Sequence, residues 1–144
     1  MTYFTGKDIG QPIQGYFQNK MNSTMKFNDL YWHDSVIKNI VIDRNNPGKK
    51  DVLLLEIDWY NTGSGFIIFE NVYWLQVNMN FGIIAEETVH EAFIAQNNDI
   101  DVINFNEKWN KNFNEELSCF IIRTSSTGSE IKIIARTFKI SKGP

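Results

Sequence analysis

Cysteine is nearly missing from this chain of 144 residues: Cys119 stands alone. A single thiol cannot form an intramolecular disulfide or build a cysteine-rich metal site. In "LSCFII" it sits among apolar neighbours, as a small residue of a buried strand does, with no base or positive group beside it to make a nucleophile. Histidine is scarce too, with only His33 and His90. Excess positive charge is absent: 14 Lys and Arg face 17 Asp and Glu, for a net charge of −3. Without a basic surplus to neutralise phosphates, nucleic acid is not an expected partner. No apolar run approaches the roughly 20 residues that span a bilayer. The N-terminal stretch "MTYFTGKDIGQPIQGYF" has neither the basic nor the continuous apolar region of a secretory signal. The expectation is therefore a cytoplasmic protein with no membrane association. "TGSGF" lacks the lysine and the following helix of a phosphate-binding loop.

What the chain does have is aromatic surface, at 14% of residues, which is enough apolar area to offset the entropy of ordering and so argues against disorder. The length suits one domain over 1–144. Residues 1–30 carry weak periodicity: "QNKMNSTMKFND" reads as loop, after a short strand or turn around Ile13–Phe17. From Ser35 onward β-branched residues dominate, and Val36, Ile40 and Ile42 share one face of an extended segment. "RNNPGKKD" supplies Pro47-Gly48 for a type II turn. "VLLLEIDWY" then alternates, with Leu53, Leu55, Ile57 and Trp59 on a dry face. A turn at "NTGSG" and a third strand in "FIIFENVYWLQV" complete an antiparallel meander.

At residues 83–97, "IIAEETVHEAFIAQN", the period changes. Ala85, Val89, Ala92, Phe93 and Gln96 fall at helical spacing, with Glu86, Glu87, His90 and Glu91 opposite, which predicts an amphipathic helix ended by Asn97-Asn98. "IDVINF" at 100–105 reads as a short strand, and "NEKWNKNFNEE" as a polar connection with one or two helical turns. "LSCFIIRT", "SSTGS" and "EIKIIARTFKI" form a terminal hairpin, in which Ile131, Ile133 and Ala135 alternate with Lys132, Ile134 and Arg136. The expected fold class is α+β: a mainly antiparallel sheet of about six strands in meanders and hairpins, partly covered by one amphipathic helix.

Chemistry concentrates at His33-Asp34-Ser35. A Ser–His–Asp triad needs the imidazole between its partners, and consecutive strand residues point to opposite faces, so the geometry argues against one. The better reading is a polar approach to a β-strand, with Asp34 or Ser35 accepting a backbone N–H and His33 using one ring nitrogen as it packs on Trp32. On the predicted helix, His90 shares a face with Glu86 and Glu87; with His33 and Asp34 these would form an N/O set of the kind zinc or iron accepts. A solvated helix face explains the same residues without a metal, and no cofactor is expected. Among the tryptophans, Trp59 belongs to a dry face and Trp109 to an exposed one.

Residues 31–73 carry a resemblance. "YWHDS" leads into "IKNIVIDR", a turn follows, then "VLLLEIDW" and "IIFENVY". The pattern resembles small, β-rich bacterial proteins with a His-Asp-Ser motif at a strand start, some of them immunity proteins of polymorphic toxin systems. The resemblance implies a cytosolic β-sheet domain that binds and neutralises a toxin, and it carries no catalytic residues. Two expectations follow. The first is a non-enzymatic binding protein whose protein partner meets an exposed acidic and aromatic surface, with Trp109, Glu115 and Glu116 in contact and His33 and Asp34 at the strand start. The second is a metal-dependent or acid–base enzyme using His33, Asp34 and His90. The sequence leaves the oligomeric state open.

Overall fold

A computed structural model describes residues 27–109 and 116–142. The chain divides at Leu30. Before that point only Phe27–Leu30 are described, the end of a helical turn in which the Leu30 N–H donates to the Phe27 carbonyl at 3.3 Å. The loop and strand expected within residues 1–26 lie outside the described residues. All that follows concerns the unit that begins at Tyr31.

The elements run β1 (Val36–Asp43), β2 (Val52–Trp59), β3 (Gly63–Asn78), β4 (Glu87–Ile94), α1 (Ile100–Trp109), β5 (Ser118–Thr124) and β6 (Glu130–Ser141). Every strand pairing is antiparallel, and the sheet closes on itself in the order β1-β2-β3-β6-β5-β4. The fold is thus a mainly antiparallel α+β arrangement. It contains the β1–β2–β3 meander and the β5–β6 hairpin that alternation and turn chemistry predict. Gly48 takes φ +85° between Pro47 and Lys49, and the Lys49 N–H donates to the Asn46 carbonyl at 3.1 Å, as a type II turn requires. The turn expected over 61–65 is shorter, because β3 already begins at Gly63.

Two elements differ from expectation. Residues 87–94 form strand β4 and not a helix. The register between β4 and β5 slips between Val89 and Glu91, so His90 is an extra residue in the strand. Such a bulge leaves His90 and Glu91 both exposed between buried Val89 and Ala92. Apolar residues three apart then imitate a helical period. Conversely, 100–105 is not a short strand but the start of a helix that runs through Trp109. The Asp99 carboxylate accepts the backbone N–H groups of Asp101 (2.9 Å) and Val102 (3.3 Å), which makes it the N-cap of α1.

The barrel interior is lined from β2 and β3 by Leu53, Leu55, Ile57, Ile67 and Phe69, all at 1% exposure or less. Phe69 meets Phe120 (ring centroids 5.2 Å apart), and Phe120 meets Phe138 (5.7 Å). On the other face of β5 and β6, Cys119, Ile121 and Ile134 pack with Phe105 of α1, joined by Tyr73, Trp74, Phe93 and Val102. β5 and much of β6 are therefore buried on both faces, which is why their sequences read as nearly continuous apolar runs. Burial of Phe105 under this second layer contributes on the order of 1.5–3 kcal/mol. Burial and the neighbouring Asp99 push the Cys119 thiol up to about 12, so it stays protonated and inert at neutral pH.

The alternation of β6 sets Lys132 on the face opposite Ile131 and Ile133, and there the residue is only 6% exposed. Its ammonium group donates to Asp99 (2.9 Å) and Asp101 (2.7 Å), tying the start of α1 to the sheet. Burial alone would lower the Lys132 pKa, but the bonds to Asp101 and Asp99 outweigh it and push the value up to about 12. Burial would likewise raise Asp99, but Lys132 and the backbone N–H groups of Val102 and Asp101 hold it below 3.8. A carboxylate with a depressed folded pKa stabilises fully above its unfolded value, and that contribution fades as pH falls through the folded one. We expect Lys132→Ala to cost about 2–4 kcal/mol at pH 7, since two partly buried carboxylates lose their cation. Urea unfolding should show that gap from wild type narrowing below about pH 4; an equal gap at pH 3 and pH 7 would remove the ion pair as its cause.

Candidate functional site

The segment Tyr31–Ser35 delivers the chain into β1, and Ser35 is its hub. The residue is completely buried. Its hydroxyl donates to the Tyr31 carbonyl at 2.6 Å and accepts the Tyr60 N–H at 2.9 Å. Its N–H donates to the Trp32 carbonyl (2.9 Å), and its carbonyl accepts the Val89 N–H (2.7 Å). The Asp34 N–H donates in turn to the Val89 carbonyl at 3.0 Å. Asp34 holds φ +71°, a left-handed conformation that a short polar side chain tolerates better than most. Beneath this turn, Trp32 packs on Trp59 with ring centroids 4.9 Å apart. A Cβ on Gly65 would stand 3.3 Å from the Trp59 ring, so glycine leaves room for the indole.

The turn carries two exposed ring pairs. Tyr31 and Tyr60 stack at 5.8 Å with planes 15° apart, and are 53% and 65% exposed. The His33 and His90 rings meet edge to face at 5.9 Å. His33 Nδ1 lies 3.0 Å from the His90 carbonyl, an arrangement in which Nδ1–H donates. That leaves His33 Nε2 facing the Asp34 carboxylate at 3.7 Å. The ring thus uses one nitrogen in a structural bond and meets the ring of His90.

These positions define what the chemistry can be. The Ser35 hydroxyl is sealed from solvent and spent on two backbone groups, and His33 is bonded to a carbonyl, so no nucleophile–base contact exists between them. The shared face of Glu86, Glu87 and His90 does not form, because the segment is a strand. Glu87 accepts the Thr127 hydroxyl at 2.6 Å, and Glu86 pairs with Lys38 at 3.6 Å. Among the described residues no group of three or more His, Cys, Asp and Glu side chains is arranged to hold a metal ion.

Trp109 ends α1 at 41% exposure, with the Lys108 ammonium 5.1 Å from its ring centroid. Glu116 is exposed just before β5. Glu115 lies outside the described residues. Among the described residues no contact joins Trp109 or Glu116 to the His33 patch. The two tyrosines escape sequence reading, because their stacking depends on the Ser35 hydroxyl drawing together segments that are far apart in the chain. The adjacency of Tyr31 to "WHDS" is the only local signal. Among the described residues no helix is long and apolar enough to cross a membrane.

No protein-family model matches this chain, and no curated protein or solved structure is similar enough to count as a match.

Ser35→Ala removes one donor and leaves the Tyr60 N–H without its acceptor in a buried site. The expected loss is about 1–3 kcal/mol in chemical unfolding, together with changed tyrosine fluorescence as the Tyr31–Tyr60 stack loosens. Unaltered stability would show that the hydroxyl does not hold the turn.

Proposed function

We propose that this chain is a non-enzymatic binding protein of the immunity type, which holds and neutralises a bacterial toxin in the cytoplasm. We place its contact surface at Tyr31, Tyr60, His33, Asp34 and His90. The observation that carries this reading is the exposed Tyr31–Tyr60 stack, held on a turn whose backbone is fixed by buried hydrogen bonds. Tyrosine offers large, amphipathic contact area at low entropic cost and is enriched at binding hot spots. A rigid support lowers the ordering cost of association. The net charge of −3 favours encounter with a basic toxin cleft. Trp109 and Glu116 contribute as an outlying aromatic and acidic pair.

The test is growth rescue. Cells expressing a toxin encoded beside this gene should survive when the wild-type chain is co-expressed. They should die with the Tyr31→Ala/Tyr60→Ala variant, even though it accumulates and melts as wild type does. Truncating two central tyrosines is expected to weaken binding by about 2–4 kcal/mol. Rescue by the double variant would move the surface elsewhere, and a wild-type chain that protects against no such toxin would overturn the immunity reading.

A further inference from the structure

The barrel is joined between β1 and β4 by only two residue pairs, Val36 with Thr88 and Ile37 with Glu87. Beyond them, Asn39–Asp43 pair with β2 on one side, and among the described residues no strand pairs with them on the other. Natural sheets blunt such an edge with charge, proline or shortness, because its free N–H and carbonyl groups invite another strand. This edge is short and closes on Asp43, but within "NIVID" Val41 and Ile42 stand 43% and 55% exposed.

We propose that the chain pairs with a second copy of itself, antiparallel, along the open edge of β1. The register follows from faces and charges. A two-fold axis perpendicular to the sheet keeps each side chain on its own face, so facing residues must lie an even number of positions apart. Centring the axis on Val41 sets Val41 against the partner's Val41, Ile40 against the partner's Ile42, and Asn39 against the partner's Asp43. The register of β1 on β2 slips between Ile37 and Asn39, so Lys38 is an extra residue, and Lys38 and Asn39 are both exposed. The bulge therefore turns Lys38 to the side of Asn39, next to the partner's Asp43, and symmetry makes two such charge pairs. Moving the axis to Ile40 sets Lys38 against the partner's Ile42, and moving it to Ile42 sets Asp43 against the partner's Val41, so either shift loses both pairs. The present partners, Glu86 at 3.6 Å from Lys38 and Lys50 at 3.7 Å from Asp43, are loose surface pairs that cost little to exchange.

An edge of five residues gives a small interface, so the dimer should depend on concentration. Sedimentation velocity on the full chain, from low micromolar to several hundred micromolar, is expected to show monomer giving way to dimer. Lys38→Glu places like charges together and should raise the dimer Kd about tenfold or more. The charge exchange Lys38→Glu with Asp43→Lys should recover most of the loss. Asp43 also accepts the backbone N–H and side-chain amide of Asn45 (2.9 and 2.8 Å), so its replacement loosens the hairpin turn. Val41→Arg provides a variant free of that effect: it sets two guanidinium groups together at the axis and should abolish the dimer at an unchanged melting temperature. A monomer throughout the range overturns the proposal, as does a dimer indifferent to both Lys38→Glu and Val41→Arg.

Discussion

Closure of the sheet is the constraint from which the rest of the structure follows. An open antiparallel sheet of this length would leave β1 and β4 as two edges, and twist brings those edges round to meet. The join is short, and its hydrogen bonds continue past the strands into the Asp34–Ser35 turn through Val89. That continuation brings His33 to His90 and settles the turn on Tyr60. The patch that we propose as the binding surface is therefore a product of barrel closure, assembled from residues that lie apart in sequence.

A second constraint is that one side of the barrel is not left to water. Helix α1 covers Cys119, Ile121 and Ile134, and its placement is fixed at its first turn by Asp99, which caps the helix and also accepts Lys132. One carboxylate thus satisfies orphan helix donors and, together with Asp101, neutralises a cation that would otherwise be buried without a partner. At the tip of the β5–β6 hairpin, Thr124, Thr127 and Ser129 are buried and bond to one another, while Glu87 accepts from Thr127. A turn that reads as an ordinary polar loop is in fact a satisfied internal network.

Much of this was legible in the chain. The meander over 36–78 and the terminal hairpin declare themselves through alternation and through Pro47-Gly48. The helix expected over 83–97 has its cause in a bulge. Each of the three bulges, at Lys38, Tyr73 and His90, inserts one residue and breaks the two-residue period. At His90 the resulting spacing of buried Val89 and Ala92 passes for a helix. The true helix was missed because Ile100 and Val102 alternate as a strand would, although Asp99 stands where a cap belongs. Of the site, His33 and Asp34 could be singled out from residue type alone. Tyr31, Tyr60 and the role of Ser35 could not, since burial and stacking arise only once distant strands meet.

The pairing of β3 with β6 joins Phe66 to Ser141, two residues far apart in the chain. Contacts of such wide sequence separation form only after the long intervening segment has lost its freedom, which slows folding relative to structures built from neighbours. The local β1–β2–β3 ribbon can assemble on its own, with the apolar side chains of β3 still uncovered, and must wait for β6 to arrive. During synthesis that wait lasts until β6 leaves the ribosome, so the interval before β6 emerges is when this ribbon is most open to misassociation.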